Sequence, residues 1–308
     1  MNLKSSYIAG FQTQRDFLRV RGGDALRFLQ GMWTSDLKIA ASQAPATCGS
    51  YLLGIKGRPV APAQILCLSE RDFVIGVPAG WGEKTREALD RYIVADDVEL
   101  GLENTWSAWT LLDDSDLSEE RIAPRVQIDA SKLFRASPVG ERSWLLPVAR
   151  LSGGHLEAWL TADCPPPQFV TLSPADITVR RIDAGVAEWG KDFGEDSLIL
   201  EFPFSDEISF HKGCYIGQEV VARGTYRGQV PKVFARFEAD APLKEGAFVY
   251  RSDDSEKPIG KITSAVAARG LGQIRLRDLE GATLLAEGVQ GGRCSIIKLD
   301  LLHTKVTE

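Results

Sequence analysis

Hydrophobic and polar positions follow two different rhythms along this chain. An early two-residue alternation predicts a short strand over Phe17 to Val20, after which Gly23-Asp24 offers an N-cap to an amphipathic helix carrying Leu26, Leu29 and Gln30, stopped by Gly31. Thr34-Ser35-Asp36 reads as a second cap-rich turn. Strands are predicted over Ser50 to Ile55 and Val60 to Leu68, joined by the Lys56-Gly57-Arg58 turn, with a third over Asp72 to Val77. Trp81, Ala88, Leu89, Tyr92 and Ile93 recur at helical spacing over a charged opposite face. Strands at Val98 to Leu100 and Thr105 to Leu112 complete an alternation typical of an α+β layer. An acidic stretch, Asp113 to Glu120, reads as an exposed connection, followed by strands at Arg125 to Ile128, Ser143 to Leu151 and His155 to Leu160. Beyond Pro165-Pro166-Pro167, Ser173-Pro174-Ala175-Asp176 begins a helix whose apolar face carries Val179, Ile182, Val186 and Trp189 as far as Gly190, with Asp183 beside that stripe.

After Tyr226-Arg227-Gly228 the helical rhythm disappears. Short alternating strands follow at Val233 to Ala239, Gly246 to Arg251, Ile259 to Ala267, Gln273 to Leu276 and Cys294 to Leu299, the pattern of a small antiparallel barrel. The expected division is therefore 1–112, 113–229 with the most unusual motif, and a barrel over 230–308. A chain of 308 residues with 44% hydrophobic content has material for two or three cores.

Charge narrows the range of partners. A net charge of -6 excludes a protein that binds nucleic acid across its whole face, because neutralising phosphates takes clustered cations. A local basic patch could come from Arg180, Arg181, Lys212, Arg223, Arg227 and Lys232. The five cysteines, Cys48, Cys67, Cys164, Cys214 and Cys294, are widely spaced with no CxxC, so they encode neither a disulfide framework nor a zinc site and fit a reducing compartment. No window approaches the roughly 18 apolar residues of a membrane span, and Met1 to Ile8 carries no uninterrupted apolar run. The expectation is a soluble, cytoplasmic monomer that holds no metal of its own.

The densest chemistry lies in Lys212-Gly213-Cys214-Tyr215-Ile216-Gly217-Gln218-Glu219, continuing through Val220-Val221-Ala222-Arg223. Its glycines permit a tight backbone, and Ile216, Val220 and Val221 recur at helical spacing, so it reads as a turn opening into a short helix. Cys214 near a helix start, with Lys212 beside it, would be biased toward the thiolate, the nucleophilic and metal-binding form. Gln218 and Glu219 would hydrogen-bond within the turn and fix Cys214.

This run, together with Arg181-Ile182-Asp183-Ala184-Gly185 and Ile208-Ser209-Phe210, resembles the signature of the YgfZ family of folate-binding proteins, relatives of the glycine-cleavage T-protein (aminomethyltransferase). Gly23-Asp24-Ala25, Phe28-Leu29-Gln30-Gly31, Thr34-Ser35-Asp36, Lys56-Gly57-Arg58 and Ile259-Gly260-Lys261-Ile262-Thr263-Ser264-Ala265 extend the resemblance over most of the chain. It implies a T-protein-like ring of three subdomains, two α+β folate-binding parts followed by the barrel. It also implies a role in iron–sulfur cluster supply, with iron–sulfur proteins as clients and tRNA reached only indirectly through tRNA modification. Cys214 would be the functional thiol, with Lys212, Gln218 and Glu219 around it.

Tetrahydrofolate is the implied cofactor. Asp183 matches the T-protein carboxylate that accepts from the pterin ring, one methylene shorter. Trp189 and Phe17 are candidates to stack on it, and Arg223 and Arg227 to pair with its glutamate carboxylates. Transferase relatives carry an acidic residue on the strand after the glycine turn, where this chain reads Pro59-Val60-Ala61-Pro62-Ala63-Gln64. A tetrahydrofolate-dependent aminomethyl or methyl transferase would lack that acid–base group, typically a 10²- to 10⁴-fold contribution. A non-catalytic tRNA-binding module is the other alternative. The residues leave open whether Cys214 holds a cluster or sulfur transiently, attacks a one-carbon adduct or forms a mixed disulfide with a client.

Overall fold

A computed structural model describes residues 8–113, 134–135, 137–138, 143–148, 155–162, 164, 170–226, 230–254 and 256–302. The chain divides into two compact units: Met1–Ser173 with Asp206–Gln218, and Pro174–Ser205 with Glu219–Glu308. The expected strand at Arg125 to Ile128 and the triple-proline run lie outside the described residues.

The first unit runs β1 (Ile8–Thr13), β2 (Arg15–Arg21), α1 (Ala25–Met32), α2 (Leu37–Ser42), β3 (Ala46–Leu53), β4 (Pro59–Ser69), β5 (Asp72–Pro78), α3 (Gly82–Asp90), β6 (Glu99–Leu102) and β7 (Trp106–Asp113). Then come β8 (Phe134–Arg135), β9 (Ser137–Pro138), β10 (Trp144–Val148), β11 (His155–Thr161) and β12 (Val170–Thr171). They form two six-stranded sheets, one ordered β6-β2-β5-β4-β3-β8 and the other β12-β1-β7-β11-β10-β9.

The first of these sheets is covered on both faces, which explains why β4 and β5 are almost continuously apolar instead of alternating. On one face Leu18, Val20, Ala61, Ala63, Ile65, Phe73, Ile75 and Val77 pack with Phe28, Leu29, Leu37 and Leu89 of the three helices. On the other, Phe17, Leu66 and Val74 meet Ala108, Leu146 and Trp159 of the second sheet. Gly76 makes room for this layer, since a Cβ there would fall 2.7 Å from the Trp159 ring. Arg15 of β2 and Glu157 of β11 form a buried bidentate pair at 2.6 and 2.9 Å, and the Trp159 indole N–H donates to the same carboxylate at 2.9 Å.

The helices differ from their sequence prediction in instructive ways. Gly31 lies inside α1 and does not end it; the Asp24 side chain caps nothing in α1 and accepts instead from the Asp97 N–H. Asp36 caps α2, a helix too short to declare itself by periodicity, by accepting from the Lys38 N–H. α3 ends at Asp90, so Tyr92 and Ile93 lie beyond it, and its first N–H is received by Asp16 of β2 at 2.8 Å.

In the second unit, α4 (Pro174–Ala184) and α5 (Gln218–Tyr226) accompany a closed antiparallel barrel. Its strands are β13 (Lys232–Ala239), β14 (Phe248–Arg251), β15 (Pro258–Val266), β16 (Arg269–Arg275), β17 (Leu284–Glu287) and β18 (Arg293–Leu302), ordered β13-β16-β15-β14-β17-β18 around the closure. Val233, Ala235, Phe237 and Ala239 alternate inward to meet Val249, Ile262, Ile274 and Ala286. β16 begins earlier than its pattern suggests because its glycines read as a turn. Gly272 is there for closeness, since a Cβ would fall 2.1 Å from the Lys261 carbonyl oxygen. The predicted helix through Gly190 is also corrected: Gly185 takes φ +70° and ends α4 at Ala184, which leaves Val186 and Trp189 outside it.

Candidate functional site

The segment from Asp206 to Gln218 lies over the second half of β3 and the turn between α1 and α2 like a strap fastened at both ends. At one end Glu207 is held three ways: its carboxylate accepts from the Tyr51 hydroxyl at 2.6 Å, and its carbonyl accepts from the Thr34 and Ser35 hydroxyls at 2.6 and 3.0 Å. Gly49 leaves space for that carboxylate, because a Cβ there would lie 2.6 Å from Glu207 Oε1. The Ser209 N–H then donates to the Thr34 carbonyl at 2.9 Å.

At the other end the Ile216 N–H donates to the Gly31 carbonyl at 3.1 Å. Gly217, at φ +82°, sits so close to the glycine turn that a Cβ would fall 2.7 Å from Gly54 O and 3.1 Å from Gly57 Cα. Gly57 itself has φ +68° and closes that turn by donating to the Gly54 carbonyl at 2.8 Å. Both glycines are conformational requirements of the site.

Between these fastenings Gly213 and Cys214 are exposed, and of the five cysteines Cys214 alone is. The thiol is not at a helix start: α5 begins at Gln218, four residues later, and the chain around Cys214 is bend and turn. Lys212 is not its electrostatic neighbour either. Its side chain turns inward, 7% exposed, and the amine donates to the carbonyls of Trp33 and Ser35, each at 2.7 Å. Burial pulls its pKa down to about 8, against the attraction of Asp36 and Cys48 and with a small push from Lys38. The Tyr215 ring lies 5.2 Å from the same amine and packs under the loop, and burial lifts its phenol to about 12. Burial likewise lifts the Cys48 thiol to about 12. The dipole-and-lysine route to a thiolate, read from the sequence, is therefore replaced by a thiol presented on a fastened loop.

The other expected site residues fare unevenly. Gln218 fixes the turn: its side-chain oxygen accepts from the Tyr215 N–H at 3.4 Å, and its own N–H donates to the Tyr215 carbonyl at 3.2 Å. Glu219 instead pairs with Arg223 one helical turn on, both side chains largely exposed. Phe17 is core, 3% exposed and edge-on to Trp159 at 5.0 Å, so it offers no face to a ligand. Trp189 packs edge-on against Phe193 at 5.1 Å. Asp183 lies in the last turn of α4 with its carboxylate held by Arg269 of β16 at 2.9 and 3.0 Å. Arg227 lies outside the described residues. The expected basic patch is dismantled, because Arg181 is buried against Asp192, Ser264 and the Val186 carbonyl while Lys212 faces inward. Of the residues expected to hold tetrahydrofolate, then, Phe17 is covered, Asp183 is paired with Arg269 and Arg223 with Glu219.

Sequence reasoning missed the strap's own anchor, Glu207, and the groups that receive the strap, namely Thr34, Tyr51 and the carbonyls of Trp33 and Ser35. The signal was the hydroxyl-rich Thr34-Ser35-Asp36 run. It was read as helix capping, whereas only Asp36 caps and the two hydroxyls face Glu207.

Comparison with known proteins adds four findings. Residues 232–300 match the family described as CAF17, C-terminal beta-barrel domain. The chain is 27% identical over 265 residues to an uncharacterized protein of Haemophilus influenzae, covering 84% of each. It is also 27% identical over 302 residues to the human mitochondrial iron-sulfur cluster assembly factor IBA57, covering 87% of this chain and 80% of the relative. In three dimensions it is similar to the glycine cleavage system aminomethyltransferase T of Bartonella henselae, with a TM-score of 0.76 at 15% identity over 97% of this chain and 86% of the other. The fold is therefore the α+β T-protein fold with its closed C-terminal barrel. The cytoplasmic expectation is overturned, since the human relative and fungal relatives of the same name are mitochondrial proteins.

Proposed function

We propose that the protein supports iron–sulfur cluster assembly or repair, with Cys214 as its working thiol and iron–sulfur proteins as its clients. The observation that carries the reading is the exposure of Cys214 on a loop fastened at both ends. A thiol kept merely for packing is buried, as Cys67 and Cys294 are. The names of the assembly-factor relatives support the same role. An exposed thiol suits transient holding of a cluster or of sulfur, or a mixed disulfide with a client; tRNA modification would follow as a consequence of supplying clusters to the enzymes that perform it. Folate as a ligand rests on the resemblance to folate-binding proteins of this fold.

Aminomethyl transfer is the weaker reading. Position 64 of β4 carries a buried glutamine whose amide donates to Thr47 at 2.6 Å, so this strand supplies no proton-transfer carboxylate. Growth of a host lacking its own relative, under oxidative stress, tests the proposal. The wild-type gene should restore iron–sulfur enzyme activity and Cys214→Ser should not, although both proteins accumulate and melt alike. Full restoration by the serine variant would sink the functional thiol.

A further inference from the structure

The exposed neighbours of Lys212 make its burial unusual. His211, Gly213 and Cys214 all face solvent, yet the lysine between them is 7% exposed. A lysine on an exposed loop ordinarily keeps its amine in water, because burying it costs both hydration and rotamer freedom. Here the cost is offset by two acceptors, the Trp33 and Ser35 carbonyls, each 2.7 Å from Nζ. Both belong to the stretch that receives the Ser209 and Ile216 amides through the Thr34 and Gly31 carbonyls. The side chain thus closes a gap in a row of main-chain ties, two residues before the thiol.

We propose that Lys212 is the positioning residue of Cys214, its amine fastening the thiol's loop to the main chain of Trp33 and Ser35. The proposal rests on the reading of Cys214 as a working thiol. The role belongs to the N–H donors rather than to the bulk of the side chain, which gives two separable variants. Lys212→Met keeps an apolar stem of similar length and removes every donor. Lys212→Gln restores two N–H donors on one nitrogen, one bond nearer the backbone.

The test is amide hydrogen exchange of the full chain, followed over the peptide containing Ser209 and Ile216, with β4 and β5 as internal controls. Loss of the two hydrogen bonds predicts exchange of that peptide roughly thirtyfold faster in Lys212→Met, with the strands unchanged. Lys212→Gln should recover at least part of the protection. A side chain that serves only to fill space predicts the reverse order, with methionine harmless. The proposal is overturned if Lys212→Met exchanges like wild type, if the strands speed up as much as the loop, or if Lys212→Gln is no better than Lys212→Met. Iron–sulfur enzyme activity in the complemented host is the second readout and should fall for Lys212→Met with Cys214 still in place. Should Cys214→Ser prove fully active in that host, the functional thiol fails while the exchange result on Lys212 stands, so the two failures are told apart.

Discussion

Lys212→Met also tests the energetics of the strap through pH. The amine titrates near 10.5 in an unfolded chain and at about 8 when buried here. Between those values the unfolded chain binds one proton more than the folded one, so stability rises with pH at up to about 1.4 kcal/mol per unit. Below pH 8 both states hold the proton and the gain is absent. A shift of this size corresponds to about 3 kcal/mol in total, of which about 2 to 3 kcal/mol is recovered between pH 7 and pH 10. The neutral amine keeps two N–H groups, one for each carbonyl, so shedding the proton need not break the fastening.

Other groups push the opposite way. The Cys48 and Cys67 thiols and the Tyr215 phenol are all raised to about 12, so in alkali the unfolded chain loses their protons first and stability falls. They are common to wild type and variant and cancel in the difference. The assay is urea denaturation of both proteins at half-unit steps from pH 7 to 10. The stability of wild type minus that of Lys212→Met should grow by about 2 to 3 kcal/mol over the range. A difference that stays flat or shrinks would refute the burial argument, because the amine would then titrate as it does in water.

Glu157→Ala strands Arg15 in the interior and should cost about 3–5 kcal/mol in denaturant titrations, and replacing both residues by apolar ones should recover most of it; a loss under 1 kcal/mol would mean the pair is solvated. Gly217→Ala combines φ +82° with a clash against the Gly54 carbonyl, so the strap should shift, lowering stability by about 1–3 kcal/mol and changing the labelling rate of Cys214; wild-type values for both would refute the socket. Asp183→Ala breaks a pair whose arginine is half-exposed and should cost no more than about 1 kcal/mol. Isothermal titration of tetrahydrofolate against the same variant tests Asp183 as a folate ligand: weaker binding is expected, and equal affinities would remove it from any folate site.

The barrel and the central strands were legible because their patterns have one cause. Val233, Ala235 and Phe237 alternate since one side faces the barrel interior, and β4 and β5 run apolar since neither side meets water. α2 was hidden by its six residues, and β16 by glycines that serve closeness rather than turning. Cys214 announced itself through its motif, but the direction of the Lys212 side chain could not be read there. It is set by two carbonyls about 180 positions away along the chain, and main-chain carbonyls leave no trace in residue identity. Asp183 and Phe17 illustrate the converse. Their identities suit ligand chemistry, but no sequence pattern announces the Arg269 and Trp159 side chains that they meet in the fold.

Gly57 and Gly217 lie about 160 positions apart, yet a Cβ on Gly217 would fall 3.1 Å from the Gly57 Cα. A lineage that substituted one of them would gain no freedom at the other, because each also keeps its own left-handed backbone. In a pairwise mutational scan the double substitution should be less harmful than the sum of the singles, the mark of two letters that spell one joint.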